Sequence, residues 1–350
     1  DGAETDLDLG QKDQRPTFML ELMKRYEVDV IPVGFPHFPQ YDLIISFMTP
    51  FMEDETIYGL DQYLVKGGHV IVFLDPLFRT APEKDFLLPD RKADATAFDH
   101  VADLLRFYGI EYDYNQVLGD KTRAMSSNIP GIGLTNYPLW VYFSEKEMNQ
   151  SSPIFANLQN IVIPEGGFFY QYDELLPTLT YTPLLTSTTN SQTVSRALFS
   201  QLKDPKSVAS RLKGEQKERD VSFMITGSFG SAFNRMPDKV KYWFDQAEST
   251  EQAPKYPQHK VFTDNPGILI GVADMDFISD QFSTYLKTEL DGTKKKAAIS
   301  DNQDYLKNMI DYALGDYNLV NLRGKGANLR TLDKIESIIT NEIATKEFQE

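Results

Sequence analysis

Two short runs in this chain are almost wholly apolar and end in acid: His69–Leu74 (HVIVFL), followed by Asp75-Pro76, and Ile268–Val272, followed by Ala273, Asp274 and Asp276. A strand with one face in water alternates apolar and polar residues. An unbroken apolar run therefore reads as a strand covered on both faces. Leu43–Phe47 (LIISF) and Val221–Thr226 (VSFMIT) have the same character, and Val28–Val33 is also strand-like.

The covering layers are legible as helical stripes. Phe18, Leu22, Met23 and Tyr26 recur at helical spacing, as do Ile57, Leu60 and Leu64 after Asp54, a fair N-cap, with Gly67-Gly68 as the stop. Phe98, Val101, Ala102, Leu105 and Tyr108 precede Gly109, and Leu306, Met309, Ile310, Ala313 and Leu314 precede Gly315, each glycine placed as a C-terminal cap. A short strand at Leu319–Leu322 closes this unit. Helices interleaved with buried strands predict an α/β fold: a mainly parallel sheet flanked by helices, Rossmann/flavodoxin-like or amidotransferase-like.

Between Ser126 and Tyr181 the chain turns rich in Gly, Pro, Asn and aromatics, with strand-like LWVYF, NIVIP and FFYQY. Thr186–Thr193 reads as a polar loop, Lys203–Asp220 as a charged, exposed helix or connection, and 247–260 as a surface excursion. The expected organisation is a core assembled from 1–125 and 221–335, a β-containing insertion over 126–220, and a polar tail over 336–350.

At 350 residues, 41% hydrophobic and 12% aromatic, the chain can fill real cores, with two domains as the default for its length. A net charge of −16 argues against nucleic acid, whose phosphates need a basic face. The dense basic cluster Lys294–Lys296 reads as a solvated loop. The absence of cysteine excludes thiol nucleophiles and cysteine metal sites. No apolar run approaches the ~18 residues of a membrane span. The chain starts at Asp1, as a processed or excised soluble piece of a larger protein would.

Candidate functional residues cluster after predicted strands, where ligands bind in open α/β sheets. Asp75, Gly227, Ser228, Asp274 and Asp276 are expected to line one crevice there. Asp274-x-Asp276, with Asp280 nearby, has oxygen ligands to offer a hard cation. The fuller loop pattern of a calcium site is missing, however, so helix capping and solvation are the favoured roles and no metal is assigned. Gly227-Ser228-Phe229-Gly230-Ser231 could present amides to an anion but lacks the lysine of a P-loop, and reads as a turn. His37, His69, His100 and His259 have no metal-ligand spacing. A Ser/His/Asp set could assemble only in space, and no G-x-S-x-G elbow is present. The aromatics Tyr137, Trp140, Tyr142, Phe143, Phe168, Phe169, Tyr170 and Tyr172 would stack a sugar ring if exposed; core is the favoured role.

Several segments together resemble one family. YDLIISFMTP followed by DQYLVKGGHVIVFLDP, then TYTPLLTSTTNSQTV, RDVSFMITGSFGSAF, GVADMDFISD and NMIDYALGDYNLVNLRGK are similar, in this order, to the GldG-type auxiliary proteins of gliding-motility ABC transport systems. The likeness covers most of residues 28–335. It implies a non-catalytic, extracytoplasmic (periplasmic) auxiliary subunit at the bacterial inner membrane. Its partners would be the transporter permease and other membrane subunits, with no cofactor. It also implies a membrane helix beyond the LRTLDKIES segment. The family's related GIFT-like domains resemble sugar-binding folds, so a carbohydrate-binding module is an alternative. A hydrolase on an amidotransferase-like sheet is a second, disfavoured in its usual thiol form by the lack of cysteine.

Overall fold

The computed structural model describes residues 17–316, apart from internal stretches at 32–33, 39, 48–51, 78–98, 130–132, 172–174, 201–206, 208–209, 248–256 and 289–293. The strand expected at Leu319–Leu322 and the tail over 336–350 lie outside the described residues. So do parts of the 203–220 and 247–260 segments.

The described helices are α1 (Thr17–Met23), α2 (Asp54–Val65), α3 (Asp99–Phe107), α4 (Asp238–Ala247) and α5 (Asn302–Ala313), with a single turn at Asp280–Ser283. The strands begin with β1 (Ile44–Ser46), β2 (His69–Phe73), β3 (Ile110–Tyr112), β4 (Gln116–Asp120), β5 (Ala124–Ile129), β6 (Gly133–Ser144) and β7 (Asn160–Pro164). They continue with β8 (Phe169–Gln171), β9 (Leu179–Thr186), β10 (Ser191–Ser195), β11 (Asp220–Gly227), β12 (Gly267–Val272), β13 (Thr284–Thr288) and β14 (Lys294–Ala298).

A seven-stranded sheet dominates, in the order β1-β2-β12-β11-β8-β3, with β9 also paired along β11. The three runs expected to share a parallel sheet do so: β1 and β12 both pair with β2 in parallel. The sheet as a whole is mixed, which corrects the expectation of a mainly parallel one. β11 runs antiparallel to β12, β9 and β8, and β3 antiparallel to β8. The cause is topological. An apolar run records that both faces are covered but not which way the strand points. The connection through α4 returns the chain to the end of the sheet where β11 finished, so Gly227 pairs with Gly267.

The caps behave as their glycines require. Gly67, Gly109 and Gly315 all adopt positive φ (90°, 81° and 77°), the left-handed region that ends a helix at little cost for glycine alone. After α5, Gly315 N–H donates to Tyr312 O (3.0 Å) and Asp316 N–H to Asp311 O (2.8 Å), satisfying terminal carbonyls. The residue before α2 is Glu53, and Asp54 stands inside the first turn, where its charge suits the helix N-terminus. Residues 28–31, expected as a strand, form none.

One buried cluster runs through the molecule. It joins Leu60 and Leu64 of α2, Val72 of β2, Leu105 of α3, Ile270 of β12 and Met309 of α5. Segment 126–220 supplies β8 and β9 to the main sheet and Val141, Phe143, Ile161 and Ile163 to the same cluster. Tyr305 of α5 docks onto the sheet by donating to Ser222 Oγ (2.7 Å), and it stacks on Phe155 at 5.2 Å. Such a pair adds about 0.5–1.5 kcal/mol beyond area burial. The aromatic set divides as strand alternation demands. Tyr137, Phe143, Phe168 and Phe169 are buried, Trp140 and Tyr142 half-buried and Tyr170 exposed, while Tyr172 lies outside the described residues. Lys294–Lys296, expected as a loop, begins β14, which pairs antiparallel with β13.

Candidate functional site

Register builds the site. In the parallel pair β2–β12, Val272 faces Phe73, and Leu74 N–H donates to Val272 O (2.9 Å). Two residues further on, the same register sets Asp274 beside Asp75. The turn beginning at Asp276 then folds its carboxylate back, so that Asp75, Asp274 and Asp276 each place an oxygen within 4.8 Å of the others. All three are buried, Asp274 completely (0% exposed).

Backbone amides hold the carboxylates in place. Asp75 Oδ1 accepts from Leu77 N–H (2.7 Å) and its Oδ2 from Met275 N–H (2.9 Å), a cross-strand tie between the two loops. Asp274 Oδ1 accepts from Asp276 N–H (2.7 Å). Asp274 Oδ2 accepts from no N–H or hydroxyl, and the Asp274 carboxyl lies against that of Asp75, close enough for one proton to bridge them. Burial pushes the Asp274 carboxyl well above the usual carboxylate range, and the neighbouring charges of Asp75 and Asp276 push it further.

A residue that sequence reasoning did not single out completes the surroundings. Tyr112, at the end of β3, is 4% exposed, and its hydroxyl has no hydrogen-bond partner. That hydroxyl lies against the Gly166-Gly167 turn. A Cβ on Gly167 would fall 2.6 Å from Tyr112 Oη, and one on Gly166 would fall 3.1 Å from Asp274 Cβ. Gly167 N–H also donates to Ala273 O (2.7 Å), so the turn is pressed onto the end of β12 and admits no side chain. Burial raises the Tyr112 hydroxyl well above its ordinary value, and the charges of Tyr114, Asp75 and Asp274 add to it. The only sequence signal for this contact is the Gly166-Gly167 pair itself.

The expected crevice is only partly assembled. Asp75, Asp274 and Asp276 come together, but Gly227 and Ser228 stand at the opposite end of the sheet. Because β11 is antiparallel to β12, Gly227 pairs with Gly267, at the start of β12, while Ser222 pairs with Val272 at its end. Five residues of strand separate the two ends, about 17 Å. Gly227 and Ser228 are instead held against the residue before β9: Ser228 N–H donates to Thr178 O (3.3 Å) and Thr178 Oγ1 to Ser228 O (2.7 Å). Asp280 is elsewhere engaged, accepting from Thr17 Oγ1 (2.9 Å).

The structure does bring a serine, a histidine and an aspartate near one another, as Ser231, His259 and Asp61. Their order is unsuited to nucleophilic catalysis. Ser231 Oγ donates directly to Asp61 Oδ2 (2.6 Å), and the His259 ring pairs with Tyr58 Oη (3.1 Å) rather than with the serine. The histidine is not placed to take the serine proton. His37 packs edge-on against Phe244 and His69 opens β2, both as structural residues.

What these elements define is a mixed α/β protein whose most unusual chemistry is a buried acidic group at the end of its parallel strands, without an assembled nucleophile–base pair among the described residues. Residues 4–309 match the model of the family described as an ABC-type uncharacterized transport system, and the chain belongs to that family. It is an auxiliary component of an ABC transport system. No curated protein matches it.

Proposed function

We propose that the chain is a non-catalytic, extracytoplasmic subunit of gliding-motility type, acting in ligand binding or in coupling the subunits of its transporter. The observation that carries this reading is the family match, which runs from residue 4 to 309 and includes the whole sheet and its acidic end. The absence of a usable nucleophile–base pair at Ser231, Asp61 and His259 supports the non-catalytic part. Among the described residues no helix is long and apolar enough to cross a membrane. Attachment is proposed through a membrane helix after the LRTLDKIES segment, on the strength of the family resemblance alone. We also propose 1–125 with 221–335 as one sequence unit and 126–220 as the excursion from it, although both contribute to one buried cluster.

The partner on this reading is the permease with the other membrane subunits. Tagged protein, expressed with its transporter and extracted in mild detergent, should recover those subunits. Recovery of the tagged protein without those subunits, with the transporter otherwise intact, would sink the coupling role. Screens against ester, glycoside, phosphate and amide substrates should give background rates, and a robust rate abolished by one substitution would overturn the non-catalytic reading.

A further inference from the structure

We propose that Asp75, Asp274 and Asp276 bind one hard divalent cation, Ca²⁺ in preference to Mg²⁺, with the Tyr112 hydroxyl as a neutral oxygen at the edge of the site. This inference does not depend on the transport role.

The ligand set is oxygen only, which selects hard cations over zinc or copper. Oxygens bound to one Ca²⁺ at 2.3–2.6 Å lie within about 5 Å of one another, and the three carboxylates meet that condition at 4.8 Å. Mg²⁺ keeps several of its waters and is rarely held in an all-protein cage; the complete burial of Asp274 therefore favours the larger ion.

Two further observations, one on a member of the cluster and one on a residue outside it, point to a missing partner. Asp274 Oδ2 is wholly buried and accepts from no N–H or hydroxyl, its carboxyl meeting only that of Asp75, and the Tyr112 hydroxyl beside the same strand end is buried and bonds to nothing. Buried polar atoms in folded proteins are almost always satisfied, so two at one place ask for a group that supplies both. A proton shared between Asp274 and Asp75 is the rival. It would neutralise one charge and leave the Tyr112 hydroxyl as it is. A cation offsets the mutual repulsion of the carboxylates and uses Asp274 Oδ2 and the tyrosine oxygen as ligands. The amides of Leu77, Met275 and Asp276 then act as a supporting shell. They orient the carboxylates while each oxygen keeps a lone pair for the metal.

The test is calorimetry on the full chain stripped with chelator and titrated with CaCl₂ and then, separately, MgCl₂. The expected result is saturable one-to-one binding of Ca²⁺, weaker binding of Mg²⁺, and a thermal midpoint that rises on adding Ca²⁺. Asp274→Asn should lower Ca²⁺ affinity at least tenfold. No saturable signal from the wild-type chain would overturn the proposal. So would an Asp274→Asn protein that binds as wild type does, since binding would then belong to the acidic surface at large. Should Asp274→Asn fail to fold, Asp276→Asn is read in the same way.

Discussion

Asp61 and Asp274 are both 0% exposed, and their surroundings could hardly differ more. Around Asp61 every neighbour donates: Ala232 N–H to Oδ1 (2.7 Å), and Ser231 Oγ (2.6 Å) and Gln62 Nε2 (3.0 Å) to Oδ2. Gln62 extends the network by exchanging hydrogen bonds with both backbone groups of Lys260 (2.8 and 2.9 Å), so α2 is tied to two distant loops. Around Asp274 one amide donates and two further carboxylates crowd in. A buried charge saturated by donors is a structural staple. One surrounded by its own kind is a place where something from outside belongs.

The strongest way to break this contrast is Asp61→Ala. Removing the acceptor leaves Ala232 N–H, Ser231 Oγ–H and Gln62 without it in a buried place, at about 1–3 kcal/mol each where relaxation is incomplete. The expected total is a loss of about 3–5 kcal/mol in urea unfolding, with Ca²⁺ binding unaltered in whatever fraction folds. A loss below about 1 kcal/mol would mean the network is not the staple described.

Gly227→Ala separates the two ends of the sheet. Its φ of 134° disfavours any side chain, and the new Cβ would fall 2.0 Å from Thr178 O. We expect about 2–4 kcal/mol of destabilisation from strain and overlap. The calorimetric response to Ca²⁺ should not change, because Gly227 sits at the far end of β11. A weakened Ca²⁺ response in folded protein would restore the single crevice that the sequence suggested.

That mistaken crevice shows what was legible and what was not. The runs HVIVFL and GILIGV specify burial on both faces, and each carries its aspartate a fixed distance past the strand, so a parallel pairing of Asp75 with Asp274 could be read from the letters alone. Gly109 and Gly315 marked their helix ends because no other residue sits comfortably at positive φ. VSFMIT is as apolar as its neighbours, but nothing in it encodes direction. Assuming that it runs parallel moved Gly227 and Ser228 to the wrong end. Asp61 was invisible for a different reason: inside an amphipathic helix it looks like a solvated acid, and its partners Ser231 and Ala232 lie 170 and 171 residues away. Tyr112 was missed likewise, because an aromatic at a strand end reads as core.

A smaller effect sharpens the Asp274 side. In chelator, Asp274→Asn keeps the shape and removes a buried acid crowded by two carboxylates, so it should stabilise the protein by about 1 kcal/mol. In saturating Ca²⁺ the order should reverse, since wild type gains the larger binding energy. Unfolding curves with and without the ion measure both. The same sign in both conditions would mean that no ion discriminates between the two proteins.

The subtlest expectation concerns pH and returns to Asp61. Burial holds its carboxyl above the ordinary range, opposed by the donations of Ser231, Gln62 and Ala232 and by the charge of His259; the Tyr108 hydroxyl faces it as well, at 3.4 Å. In the unfolded chain the group titrates near about 4. Above that value the folded protein keeps a proton that the unfolded chain has released, so the folded state binds more protons and stability falls as pH rises. The contribution of Asp61 is therefore largest below the unfolded value and is lost on passing through the raised folded value, at no more than about 1.4 kcal/mol per pH unit. Asp61→Asn has no proton to keep. The stability difference, wild type minus Asp61→Asn, should decline from about pH 4 upward. A difference that stays flat with pH would show the donors fully offsetting burial, and Asp61 would then hold its charge at no cost while Asp274 does not.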